Sequence, residues 1–305
     1  MPARGRYRSG DSWSARSSST SPPFSRFPHA RSRLSCSARA IPQCAGNPAT
    51  PRVPARLIAN VLWEGVELAT LLEAAGIAPQ ARFVWASGLD RGEFLGVKSG
   101  PYLKDLPIER ARSQDVLLAY RMNGEPLTAE HGYPVRLVVP GYYGTNSVKW
   151  LYRVEVAGHR AGGPFTTTFY NDEIESAGAA PSTQPVWSVP PEAIIVSPAV
   201  DVTIPLGPAG ESITVWGWAW ADAGIARVEV SVDVGRSWST ARVGPRSGPT
   251  WQRFEIEWTP ALEATQTEGE TELWCRATDA EGRIQPLAGA RNAVHRVPVR
   301  LRRAS

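Results

Sequence analysis

The residues best suited to chemistry lie between positions 119 and 156. His131, Arg136 and Lys149 supply positive charge there, each in or beside a predicted turn or strand end. Fixed positive charge combined with exposed backbone amides can hold an anion such as phosphate. Basic residues on a solvated hairpin would give the same pattern, since charged residues are common on protein surfaces. Residue types alone support an anion site and an ordinary surface hairpin about equally.

Two predicted strands and a tight turn must position these cations. Asn123 and Gly124 tolerate the positive φ angles that both central positions of a type I′ turn require. The apolar residues at 135, 137 and 139 alternate with their neighbours and predict a strand. Pro140 and Gly141 end it, and residues 151–156 predict the next strand.

A cysteine in a short loop is the second candidate. Cys44 stands in the loop Cys-Ala-Gly-Asn, bracketed by prolines. A loop cysteine can be a buried structural thiol, a nucleophile or a metal ligand. Free cysteines are usually buried and inert, so the residue alone favours the structural thiol.

The order of several short motifs resembles the sulfite oxidase family of molybdopterin-dependent oxidoreductases. These are CAGN from Cys44, WEGV from Trp63, HGYPVRLVVPG from His131 and SVKWL from Ser147. The resemblance covers roughly residues 41–305. It implies an α+β molybdopterin-binding domain, incomplete at its N-terminus, followed by an all-β immunoglobulin-like sandwich that mediates dimerisation.

The resemblance also implies the site residues and the reaction. The activity is oxygen-atom transfer on a molybdenum-molybdopterin cofactor, with sulfite oxidised to sulfate. Electrons must leave to a separate acceptor such as a cytochrome, since the sequence has no cysteine cluster for iron–sulfur centres and no haem-binding segment. Each implied residue also has a simpler explanation as a turn cap, a solvated strand residue or an edge aromatic. The implied residues are Cys44 as metal ligand, Asp90, His131, Arg136, Ser147, Val148 and Lys149 as cofactor contacts, and Tyr170 near the metal.

The sequence departs from the family where the substrate should bind. An Arg/Ser-rich tract replaces the first strands of the family domain, and Pro48 and Ala49 stand where an arginine usually follows the cysteine loop. Arg291 lies near the position of another family arginine but out of register. Two alternatives therefore stay open: an inactive, truncated relative that associates only through its sandwich, or a related enzyme acting on sulfoxide or nitrate.

The remaining patterns predict the domain organisation. Residues 1–40 predict a disordered tail, 41–190 the cofactor domain and 191–305 the dimerisation domain. In the second domain, strands are expected at 213–220, 226–233, 252–259, 272–279 and 294–301. In the first, the helical spacing of residues 68–75 before Gly76 predicts a helix. Residues 102–107 are expected to be irregular, 165–170 to form a strand, and 176–191 to be a linker.

Composition limits the class of protein. The chain has 305 residues, 42% hydrophobic content and a net charge of +4, as expected of a globular protein with two domains. Basic residues cluster only near the N-terminus, so no nucleic-acid surface is predicted. No apolar run is long enough for a membrane span, and no secretory signal is recognised. Three cysteines define no disulfide framework, and a cytoplasmic location is the default expectation.

Overall fold

The part of the chain that the structure describes forms many short strands and two short α-helices. The computed structural model describes residues 30–36, 59–174, 182–207, 210–289 and 291–303. The helices are α1 (Leu68–Ala75) and α2 (Ile108–Ala111). The strands are β1 (Ala30–Cys36), β2 (Ala59–Glu67), β3 (Phe83–Gly88), β4 (Gly92–Phe94), β5 (Val97–Ser99), β6 (Leu103–Pro107), β7 (Leu117–Met122), β8 (Glu125–Pro126), β9 (Arg136–Val138), β10 (Leu151–Ala157), β11 (Asn171–Ile174), β12 (Ser182–Pro185), β13 (Glu192–Ser197), β14 (Thr203–Leu206), β15 (Ile213–Trp220), β16 (Ile225–Ser231), β17 (Ser239–Thr240), β18 (Arg242–Val243), β19 (Gln252–Trp258), β20 (Glu268–Asp279) and β21 (His295–Arg303).

Two sheets build the first domain around a shared core. One has the order β1-β2-β7-β8 with β9 also paired to β7, and the other has the order β10-β3-β6. Leu106 of β6, Leu118 of β7 and Leu137 of β9 are buried in the same cluster. Helix α1 buries Leu68 and Leu72 against it and ends at Gly76, whose φ is +71°. The predicted helix is therefore confirmed.

The second domain consists of one four-stranded and one five-stranded sheet. Their orders are β13-β15-β19-β18 and β14-β21-β20-β16-β17. Alternate residues of each strand point inward, so Val215, Phe254 and Val297 share one buried core. Cys275 is fully buried there, as its alternation with apolar residues predicts. Burial raises the pKa of its thiol. All five predicted strands are present with small shifts at their ends.

Four local predictions were wrong. Residues 30–36, assigned to the tail, pair with β2, and residues 182–185, assigned to the linker, pair with β11. Residues 103–107 form β6 instead of an irregular segment. Pro164–Thr168 form a turn of π-helix instead of a strand. The last two segments contact each other, and both lie beside the candidate site.

No helix among the described residues combines the length and the apolar character needed to cross a membrane.

Candidate functional site

A buried arginine joins the two loops that carry most of the predicted cofactor contacts. Arg136 begins β9, and only 8% of its surface is exposed. Its guanidinium donates hydrogen bonds to the carbonyl oxygens of His131 at 3.2 Å and Ser147 at 3.1 Å. It also lies 5.1 Å from the ring centre of Trp63. Because one rigid planar group holds both loops, their spacing is fixed by β9.

The backbone of the second loop is fixed by β9 as well. The Ser147 hydroxyl accepts a hydrogen bond from the Val139 amide at 3.0 Å. The Val148 carbonyl accepts one from the Leu137 amide at 2.8 Å, and the Val148 side chain is buried in the core. Val148 thus contributes packing and backbone geometry to the loop.

Lys149 lies directly against the first loop. Its ammonium group donates to the Glu130 carbonyl at 2.7 Å and lies 5.0 Å from the ring centre of Trp150. Gly132 has φ of +97°, and a Cβ atom there would lie 2.9 Å from the Lys149 Cβ. The close approach therefore needs glycine, both for the backbone angle and for the space. His131 is exposed, and a ring nitrogen shares a 2.8 Å hydrogen bond with the Thr128 hydroxyl.

Asp90 approaches the lysine loop from the other side. A Cβ atom on Gly88 would press against the Asp90 carboxylate, the Lys149 carbonyl and the Val148 side chain, so the three residues are neighbours. Partial burial raises the pKa of the Asp90 carboxyl, and the charge of Lys149 opposes that rise. The structure thus brings six of the predicted residues into one connected group.

Tyr170 lies in an aromatic group beside β6. Its φ of +60° is in the left-handed region, which residues other than glycine rarely adopt. Its ring stacks on Phe165 at 6.4 Å with a 26° angle between planes. Phe165 in turn contacts the ring of Tyr102 at 4.6 Å, and the Tyr102 hydroxyl bonds to Thr145, two residues before Ser147. Tyr102 therefore links the Tyr170 segment to the lysine loop.

Lys104 is a buried lysine next to the Tyr170 ring that the sequence did not reveal as a site residue. This lysine is 1% exposed, and its ammonium lies 5.1 Å from the centre of the Tyr170 ring. The lysine itself does not indicate burial, because it was assigned to an irregular segment. The apolar residues around it, Leu103, Leu106 and Pro107, do indicate a buried strand.

Two further predicted features have different outcomes. Cys44 lies outside the described residues, so its role as metal ligand stays a prediction. Arg291 does reach the Tyr170 segment: its guanidinium binds both carboxylate oxygens of Asp172, at 2.6 and 3.2 Å. This ion pair also raises the pKa of Arg291, against the opposing effect of its burial. Arg291 thus ties the second domain to the first.

The residues present fit the anionic tail of a molybdopterin cofactor. Lys149 and Arg136 are cations, and Gly88 and Gly132 allow Asp90 and Lys149 to approach the backbone closely, which brings these groups together. Among the described residues, no group of three or more His, Cys, Asp or Glu side chains could hold a metal ion.

Comparisons with known proteins agree with this class of site. The family model described as oxidoreductase molybdopterin binding domain matches residues 29–165. The model described as Mo-co oxidoreductase dimerisation domain matches residues 183–299. The fold and the site together define a molybdopterin-type oxidoreductase architecture.

Individual relatives narrow this class to one family. Sulfite oxidase from Arabidopsis thaliana is 31% identical over 306 residues, which cover 85% of this chain and 74% of the relative. Mitochondrial sulfite oxidase from Drosophila melanogaster is 31% identical over 272 residues, which cover 80% and 46%. The crystal structure of the sulfane dehydrogenase SoxCD from Paracoccus pantotrophus matches with a TM-score of 0.67 and 30% identity, covering 86% and 63%. The chain belongs to the sulfite oxidase family, and it spans about half the length of the Drosophila relative.

Proposed function

We propose that this chain is a molybdenum-cofactor-dependent oxidoreductase that transfers an oxygen atom to sulfite and forms sulfate. The observation that carries the proposal is the connected group of Asp90, Arg136 and Lys149, which Gly88 and Gly132 allow to pack closely. Surface hairpins do not need a buried arginine fixed to two loop carbonyls. Membership of the sulfite oxidase family supports the same reaction.

Each residue has a distinct task in this proposal. Lys149, His131 and the Val148 and Lys149 backbone amides would hold the phosphate of the cofactor, because phosphate is bound by N–H donors and fixed positive charge. The Ser147 amide is bonded to the Gly144 carbonyl, so Ser147 would contribute by fixing the loop. Arg136 keeps the two loops at the correct separation. Asp90 accepts hydrogen bonds from the pterin, and the Cys44 thiolate is the protein ligand of the metal. The bound cofactor supplies oxygen-atom transfer and one-electron redox chemistry.

Tyr170 acts on the substrate side. Its hydroxyl donates a hydrogen bond to the oxyanion and orients it. Phe165 stacks on the phenol ring and shields one of its faces from water. A hydrogen bond in a drier environment is electrostatically stronger, so this packing favours a defined orientation of the substrate.

The second domain serves assembly. We propose an immunoglobulin-like sandwich over residues 191–305 that pairs two chains into a homodimer, after a cofactor domain over residues 41–190. The two sheets that pack around one core and the match to a dimerisation domain support this assignment. Electrons leave one at a time to a separate acceptor such as a cytochrome.

The test is metal content and activity after expression in a host that makes the cofactor. We expect molybdenum in the purified protein and reduction of an electron-accepting dye that depends on sulfite. C44S should lose both, whereas C275A, altered in the core of the second domain, should keep both. Parallel assays with a sulfoxide and with nitrate distinguish the related substrates.

One result would overturn the proposal outright. If the wild-type protein contains no molybdenum while a sulfite oxidase expressed alongside is loaded, the chain is the inactive relative that associates only through its second domain. Sedimentation of that metal-free protein as a dimer would then support the assembly role alone.

A further inference from the structure

A buried lysine beside Tyr170 has no carboxylate of its own. Lys104 is 1% exposed, and its ammonium donates one hydrogen bond, to the Phe165 carbonyl at 3.0 Å. The neighbouring Asp105 points to the other face of β6. There it binds Arg160 through two hydrogen bonds of 2.9 and 3.0 Å and accepts a third from the Ala161 amide. Among the described residues, no carboxylate lies within ion-pair distance of Lys104.

Burial of the Lys104 ammonium is energetically unfavourable unless other groups compensate for it. A buried ammonium group is stable only with compensating partners, because it loses its hydration. Here the partners are one carbonyl dipole and the face of the Tyr170 ring, 5.1 Å from the ammonium. Burial accordingly lowers the pKa of Lys104 to about 8, although the charge of Asp105 opposes the change. A cation kept under these conditions is expected near a functional group more often than in an ordinary core.

The neighbours of Lys104 also fix Tyr170. The Phe165 carbonyl that accepts its hydrogen bond belongs to the π-helical turn Pro164–Thr168, and Tyr170 follows that turn with φ of +60°. Phe165 stacks on Tyr170. One ammonium group therefore holds both the turn and the ring, and single turns of π-helix frequently mark functional sites.

We propose that Lys104 is the positioning residue for Tyr170, and that its ammonium supplies the positive potential in which an oxyanion substrate meets the phenol hydroxyl. Lys104 does not touch the substrate, because it is enclosed. It acts through the orientation of Tyr170 and through its charge. This inference rests on the proposed function, since Tyr170 meets a substrate only in a chain that carries the cofactor. It assigns to a lysine a source of positive charge close to the Tyr170 ring.

The ionisable groups around Lys104 are few, which makes the proposal testable by pH. Asp105 and Arg160 act on it through their charges, and Tyr170 and Tyr102 lie on its own side of β6. Of the other elements that pack against β6, β3 and the turns at residues 144–146 and 164–168 have no ionisable side chain, whereas α2 carries Glu109 and Arg110, and Arg110 is paired with Asp115. A transition near pH 8 that is felt at Tyr170 would therefore come from Lys104.

The first experiment needs no activity. The chain contains three lysines, Lys98, Lys104 and Lys149, so ¹³C-labelled lysine should give three assignable signals in the metal-free full-length protein. We expect the Lys104 signal, and the ring signal of ¹³C-labelled tyrosine at Tyr170, to titrate together near pH 8. K104M, if it folds, should abolish the Tyr170 transition, whereas K98M should not. A Tyr170 signal that does not respond in the wild-type protein overturns the proposal, and this result stands even if K104M fails to fold.

The second experiment uses protein loaded with molybdenum. K104M should raise KM for sulfite on the order of tenfold, with a smaller change in kcat, because removal of a nearby charge weakens attraction of an anion. In the wild-type protein KM should rise above pH 8, and in K104M it should not. Wild-type kinetics in K104M at equal molybdenum content overturn the inference alone. A wild-type protein without molybdenum or sulfite oxidation overturns the proposed function instead.

Discussion

Burial of Lys104 predicts an unusual dependence of stability on pH. The pKa of its ammonium falls from 10.5 to about 8 in the folded chain, chiefly because burial removes its hydration. Between these two values the unfolded chain still binds the proton that the folded chain has released. Stability must therefore rise with pH across this interval, since stability increases wherever the unfolded state binds more protons. Ordinary exposed lysines give no such rise.

The size of the effect follows from the shift. A change of one pKa unit corresponds to about 1.4 kcal/mol, so the full shift of Lys104 corresponds to about 3 kcal/mol of unfolding free energy. The side chain is 1% exposed, so solvent screening reduces this figure little. Most of the gain should appear between about pH 7 and pH 10, below the alkaline range in which many proteins unfold.

The comparison of variants isolates Lys104 from other titrating groups. Burial also raises the pKa of Tyr102, but this contribution is present in the wild-type chain and in K104M and cancels in their difference. Urea unfolding of the metal-free chain at several pH values should show wild type gaining about 2–3 kcal/mol relative to K104M as pH rises. K98M, which removes an exposed lysine, should follow wild type. Parallel curves for wild type and K104M would refute the claim that Lys104 is charged and buried.

Three further perturbations test the site and its supports. R136M should lower unfolding free energy by about 3 kcal/mol, because two carbonyl oxygens lose a charged donor; the exposed R153M is its control in urea unfolding. G132A should lower the free energy of unfolding by about 1 kcal/mol more than G96A does, because both glycines have positive φ but only Gly132 is crowded by a neighbour. Equal losses in the two variants would contradict the close contact between Gly132 and Lys149. Burial raises the pKa of the Asp222 carboxyl, so the folded chain loses stability as pH rises and this carboxyl ionises. D222N stays neutral and should therefore raise Tm more at neutral than at acid pH.

Patterns of alternation predicted most of the second domain. Its strands bury one face, so Phe254 and Val297 appear in the core. Pro298 is unusual in β21, because proline cannot donate to a sheet ladder and this strand lies between β14 and β20. The Pro298 carbonyl accepts a hydrogen bond from the Asp201 amide, so its nitrogen faces the same side. The pairing of β14 with β21 begins only at Thr203, opposite Arg300. The sheet ladder therefore does not need an N–H donor at Pro298.

Tertiary contacts overrode local preference near Tyr170. Threonine-rich residues 165–170 favour a strand by propensity. The Thr166 hydroxyl instead bonds to the carbonyls of Ala161 and Gly163, and the Thr167 hydroxyl also bonds to Gly163. Hydroxyl groups that bond to nearby backbone stabilise tight turns. Likewise, Lys104 and Asp105 interrupt the apolar pattern of β6, and only their distant partners make their burial possible. No property of the local sequence reveals those partners.

A buried lysine and an arginine give a site different responses to pH. A guanidinium stays protonated at any pH that a protein tolerates, whereas a desolvated ammonium can release its proton near neutrality. Arg291, the arginine that reaches the Tyr170 segment from the second domain, is committed to Asp172. If Lys104 supplies the positive potential at Tyr170, attraction of an oxyanion must weaken above pH 8, where arginine-based attraction would persist. The pH dependence of KM therefore distinguishes the two sources of charge more directly than the loss of activity in any single variant.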